Sequence, residues 1–120
     1  MADKSFPELL SWASDACSEF SLIWRDECTY SLVAVDFDKQ IAPYLLKEKR
    51  VKEWPGTELM EEKATMKLYK VCRESLDVLR RVSSIYAFIS PDYPEDLAFY
   101  INGEVSFASI SHEGISWFES

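Results

Sequence analysis

The dipeptide Asn102-Gly103 stands between two runs of β-rich residues, DLAFYI and VSFASIS. Both residues tolerate a positive φ, and a two-residue loop built from them matches the right-handed twist of paired strands. The pair therefore predicts a tight antiparallel hairpin. At a strand period of two, Val105, Phe107, Ser109 and Ser111 share one face, and Ser106, Ala108, Ile110 and His112 share the other. A further run, GISWF, extends the pattern, so residues 96–118 read as a three-stranded meander. The stretch Ser90-Pro91-Asp92-Tyr93-Pro94 excludes a helix just before it, because each proline pushes its predecessor out of the helical region.

A meander with one apolar face needs a second layer, and the upstream sequence supplies candidates. Ser5, Pro7 and Glu8 have the order of a helix opening, with Phe6, Leu9, Leu10, Ala13, Cys17 and Phe20 recurring as one stripe. A first helix is expected over about 6–20. Two β-rich runs, 21–25 and 29–36, bracket Asp26-Glu27-Cys28 and predict a second hairpin. A second helix is expected next, capped by Asp36 or Asp38 and running to about Lys49, with Pro43 confined to its first turn. In EWPGTEL, Pro55 and Gly56 suit the two central positions of a type II turn, and Trp54 reads as a lid on the core edge. Residues 58–88 fit one long helix, or a strand ATMKLYKV followed by a helix from Arg73 to about Phe88; the second reading is preferred.

The expected fold is a single α+β domain over residues 1–120. It has an antiparallel sheet ending in a C-terminal β-meander, with two or three helices packed on one face. The opposite face is left free unless a partner or a second copy covers it. Its size is that of one domain, and 48% hydrophobic against 28% charged residues excludes a disordered chain. No apolar run reaches membrane-spanning length, and MADKSFPELL has no signal or transit pattern, so a cytoplasmic protein without membrane contact is expected. Cys17, Cys28 and Cys72 are odd in number and widely spaced, as small buried thiols in a reducing compartment would be.

Charge narrows the partner classes. The net charge is −8, from 13 basic and 21 acidic side chains. Residues 1–46 carry 3 basic and 8 acidic groups, residues 47–81 carry 10 and 7, and residues 82–120 carry none and 6. The segments thus hold −5, +3 and −6, which sum to −8. Such a balance repels nucleic acid and favours a basic protein partner.

Chemistry is sparsely advertised. One histidine and scattered cysteines give no zinc spacing, and no EF-hand loop, P-loop, GxGxxG or GxSxG is present, so no cofactor or metal is expected. On a strand, His112 points away from both Ser111 and Glu113, which predicts a framework histidine in place of a catalytic dyad. The expected role is non-enzymatic binding. The proposed contact residues are Asp92, Tyr93, Glu95, Asp96, Glu104, His112, Glu113 and Trp117, carboxylates around aromatic anchors. The alternatives are a small hydrolase-like or ligand-binding enzyme using His112 with Glu113 and Glu95, and a homodimer joined through the open sheet face.

EWPGTEL together with PDYPEDLAFYINGEVSFASISHEGISWF resembles a group of small bacterial proteins without an assigned activity. They share a Trp-Pro-Gly-Thr turn, a Pro-Glu-Asp-Leu strand entry and a closing His-Glu preceded by Ser or Ala. The likeness spans about residues 50–118 and implies that Trp54, Gly56, Pro94, Glu95, Asp96, His112 and Glu113 form one constellation. More loosely, in size and acidity, the chain is similar to immunity proteins of bacterial toxin systems, which implies a basic toxin as partner.

Overall fold

The computed structural model describes residues 2–119, with side chains from residue 6 onward. In chain order the elements are α1 (Ala2–Ala16), β1 (Glu19–Arg25), α2 (Leu32–Ile41), β2 (Leu45–Val51), β3 (Glu53–Trp54), β4 (Thr57–Glu58), β5 (Ala64–Lys70), α3 (Arg73–Arg80), β6 (Glu95–Ile101), β7 (Glu104–Ile110) and β8 (Ile115–Phe118). Short 3-10 turns lie at Ala42–Tyr44, Ile85–Ala87 and Ser111–Glu113. Six strands form an antiparallel sheet in the order β2-β5-β1-β6-β7-β8, and β3 and β4 form a separate small hairpin.

Strand alternation sorts the core. In β1, Phe20 and Leu22 point to the helical side, where Phe20 lies opposite Tyr69 of β5 and Phe99 of β6. The Phe20 ring stacks on Tyr69 at 5.1 Å and tilts against Phe99 at 5.9 Å, pairs that add to the burial of apolar area. All three helices close over these residues through Phe6, Leu9, Leu10 and Ala13 of α1, Phe37 and Ile41 of α2, and Leu76 and Leu79 of α3. The fold is thus α+β, with the helices gathered on one sheet face and the β6–β8 run at its C-terminal end.

Ile23 points to the other face, where it joins Val51, Trp54 and Ala64 in a second buried cluster edged by Leu59 and Met66. The excursion carrying β3 and β4 therefore folds over part of the face that sequence reasoning leaves free. Toward the β6–β7 turn the same face stays open, as a shallow hollow of about 400 Å³ floored by Met66, Leu68 and Tyr100 and rimmed by Glu19, Lys47 and Lys49.

Several expected elements shift. The first helix reaches back to Ala2, so Ser5 sits inside it, and it ends at Ala16, which places Phe20 on β1. The expected strand over 29–36 is largely the helix α2, because Ala34, Phe37 and Ile41 recur at helical spacing and are buried. The expected helix to Lys49 instead breaks at the turn holding Pro43, and the chain re-enters the sheet as β2. Of the two readings of 58–88 the preferred one holds: β5 is a strand and α3 begins at Arg73, although it stops at Arg80. Ser75 secures that start, its Oγ accepting the Cys72 backbone N–H at 3.0 Å. The Asn102-Gly103 turn is present with φ of 52° and 83°.

The three cysteines are free and half-buried rather than fully buried. Among the described residues no helix is long and apolar enough to cross a membrane.

Candidate functional site

The polar residues singled out in the tail gather where β6 begins and β7 ends. Asp96 opens this cluster with a left-handed backbone, φ 58°, a conformation aspartate adopts more readily than most side chains. The β1–β6 register shifts alongside it, between Ser21 and Ile23. The Asp96 carboxylate is 2% exposed and accepts two hydrogen bonds, from the Trp54 indole N–H at 2.8 Å and the Ser111 backbone N–H at 2.9 Å. Its own N–H donates to Ser111 Oγ at 3.2 Å. One side chain thus ties the β3–β4 hairpin, the start of β6 and the end of β7 together.

Glu95 is also buried, and its nearest cation is Arg25, Nη1 lying 4.0 Å from Oε1. Arg25 donates to Glu27 at 3.1 Å and lies over the Trp54 ring at 5.5 Å. Burial, reinforced by the neighbouring Asp96 charge, pushes the Glu95 carboxyl above the ordinary range; Arg25 and His112 pull it back only in part. Arg25 acts on it through charge alone, since 4.0 Å exceeds hydrogen-bond distance.

Gly56 completes the packing. Its φ is +89°, and a Cβ there would stand 2.7 Å from the Trp117 ring and 2.9 Å from Ile110 Cδ1. The turn after Trp54 thus lies directly on β7 and β8. Trp54, at 6% exposure, is the expected lid.

His112 departs from expectation. Residues 111–113 form a 3-10 turn closed by Gly114 at φ 67°, so His112 and Glu113 are not alternating strand residues. Both project outward, 47% and 57% exposed, with Nε2 3.8 Å from the Glu113 carboxylate. His112 is therefore a surface residue on a turn rather than part of the framework, because the strand geometry that would fix it ends at Ile110.

Of the eight proposed contact residues, the fold brings Asp92, Tyr93, Glu95, Asp96, His112, Glu113 and Trp117 to one end of the sheet and leaves Glu104 beside the opposite β6–β7 turn. Asp92 is exposed and accepts a hydrogen bond from Ser31 at 2.6 Å, while Tyr93 packs edge-on against Phe37 and Phe88. The burial of Glu95 and Asp96 corrects the expectation that the tail carboxylates form one outer negative surface.

Arg25 and Ser111 belong to the cluster and escaped sequence reasoning. The one available signal was Trp54, since a buried indole N–H requires an acceptor. Which acceptor, 42 residues away, is a property of the fold.

A separate groove of about 440 Å³ runs between α1, the 85–87 turn and the β7–β8 edge, lined by Phe6, Leu9, Trp12, Ile85 and Phe118, with Glu8 the one charged lining residue among the described side chains. Among the described residues no three His, Cys, Asp or Glu side chains group as metal ligands would. No family model matches the chain, nor does any curated protein or solved structure that was compared with it.

Proposed function

We propose that this chain is a non-enzymatic binding protein of the toxin-neutralising or regulatory kind, acting in the cytoplasm on a basic protein partner. One observation carries the reading. The last 39 residues hold no Lys or Arg, four of their six carboxylates (Asp92, Glu104, Glu113 and Glu119) are exposed, and the same stretch leaves Ile115 and Phe118 45% and 61% exposed. Carboxylates steer a cationic surface into encounter, and exposed apolar side chains hold it once water is expelled. At this end of the sheet Asp92, His112 and Glu113 are exposed, with Tyr93 half-buried on the helical side and Trp117 half-buried on the other. Glu95 and Asp96 stand behind them and fix the shape of the end they occupy.

The buried position of Glu95 weighs against the hydrolytic alternative, since Glu95 and the exposed His112–Glu113 pair do not share one accessible surface. The test is capture on the immobilised protein at low salt, followed by direct titration of each purified captured protein at increasing ionic strength. The expected partners are basic, and their affinity falls steeply with salt. Partners of acidic or neutral charge, or affinities that stay flat with salt, would overturn the reading.

A further inference from the structure

The two edges of the sheet are unlike. At the β2 edge Leu46, Lys47, Glu48, Lys49 and Arg50 are all exposed, and the register slips between Leu45 and Lys47. Charge and irregularity of that kind protect an edge against further pairing. At the β8 edge the sequence is ISWF, with no charge inside the strand.

The hydrogen-bond phase of β8 follows from one contact. Glu119 N–H donates to Ser106 O at 2.9 Å, which makes that pair a bonded one. Bonded pairs alternate in an antiparallel ladder, so Trp117 and Ile115 bond inward to β7 while the N–H and C=O of Ser116 and Phe118 point outward. Among the described residues no backbone partner meets them. Each side of this edge carries an exposed apolar side chain. Phe118 lies on the helical side, 5.1 Å edge-on from both Trp12 and Phe107, and borders the aromatic groove; Ile115 and Trp117 lie on the other. Carboxylates frame the edge, with Glu113 and Glu119 just beyond the two ends of β8 and Glu8 at the groove.

We infer that the β8 edge takes an extended segment of a basic protein as a seventh strand. Main-chain bonds form at Ser116 and Phe118, one apolar side chain of the segment enters the groove beside Phe118, and its Lys or Arg residues face Glu8, Glu113 and Glu119. This rests on the reading of the chain as a binder of a basic partner. A second copy fits less well. Antiparallel pairing of β8 with its twin sets Glu119 of each copy beside the Glu113 end of the other, like charge against like. Pairing of β8 with the β2 edge of another copy meets the irregular register and grows an open filament.

The experiment is an amide-resolved NMR titration of the full chain with two synthetic peptides, one alternating lysine with valine and one alternating glutamate with valine. The expected result is that the lysine peptide shifts and protects the Ser116 and Phe118 amides, and that its Kd weakens about ten-fold or more between about 0.05 M and about 0.5 M NaCl. Ser116→Pro removes one outward N–H without touching a bond to β7 and should abolish this binding, whereas Ser116→Ala keeps the N–H and should retain it. Unchanged far-UV and near-UV spectra establish that both variants fold. Binding of the lysine peptide at other residues, unaffected by Ser116→Pro, overturns the edge assignment and leaves the basic-partner reading standing. Equal binding of the glutamate peptide overturns the inference and also undermines that reading. Absence of binding by the lysine peptide overturns the edge assignment alone, since purified basic proteins still test the wider reading. Protection of the Ser116 and Phe118 amides without peptide, together with dimer or filament growth by light scattering, assigns the edge to a second copy and overturns the inference.

Discussion

Gly56 and Gly103 share a left-handed backbone, with φ of +89° and +83°, but differ in surroundings. Alanine at Gly103 meets open space, so Gly103→Ala should cost only the backbone term, about 1–2 kcal/mol. Alanine at Gly56 adds contacts of 2.7 and 2.9 Å with Trp117 and Ile110, and should cost about 1–3 kcal/mol more. Urea midpoints of the two variants measure the difference; equal midpoints would show that the hairpin yields without loss. Glu95 makes a pH-dependent prediction. Its folded pKa is raised above the ordinary glutamate value, chiefly by burial, so the stability it contributes is fully present below that ordinary value and lost as pH rises through the folded one. Glu95→Gln should therefore match the parent Tm near pH 4 and exceed it near pH 8. A variant that melts below the parent at pH 8 would mean that the Arg25 contact outweighs desolvation. The residue scale is also where the sequence said least about the site. His112 and Glu113 were visible as an adjacent pair, but the bonds of Asp96 to Trp54 and Ser111 depend on segments 42 and 15 residues away.

Among the elements, legibility follows how local the cause is. The β6–β7 hairpin was readable because Asn-Gly stereochemistry acts over two residues and strand alternation confirms it on either side. The segment 29–49 conceals its structure for a physical reason in each half. Val33 and Val35 favour strand locally, yet the burial of Ala34, Phe37 and Ile41 makes α2 a helix, so tertiary packing overrides propensity. LLKEKRV carries the Lys and Glu of a solvated helix, yet those charges are what an edge strand needs to stay unpaired. In sequence the β3–β4 excursion shows only its turn, although it covers Ile23, Val51 and Ala64. Trp54 fastens it. Trp54→Ala removes the indole and strips Asp96 of a donor, and should cost about 3–5 kcal/mol. The loss should be local in part. Proteolysis within 55–63 should rise well before the β1 and β6 amides lose their hydrogen-exchange protection. Simultaneous loss of both would show that the hairpin and the sheet open as one unit.

At the scale of the molecule, sheet order turns an uneven sequence into a polar object. The segment of net charge +3 supplies β2 and β5 at one side, and the segment of −6 supplies β6, β7 and β8 at the other, so positive and negative flanks lie across β1. Two opposing effects then decide how salt acts on stability. The pairs Arg50–Asp26 and Lys67–Asp38 are at least partly exposed and weaken with ionic strength, but exposed pairs contribute little in the first place. Repulsion among the surplus carboxylates is collective, and the β6–β8 flank holds no cation of its own to offset it. Screening the repulsion should therefore win, and Tm should rise by a few degrees as NaCl increases from about 0.01 M to about 0.5 M. The same screening weakens capture of a basic partner, so salt should move folding and binding in opposite directions. A Tm that falls with salt would place the dominant electrostatics in the ion pairs, and the negative flank would then have too little surplus charge to draw a cationic strand to β8.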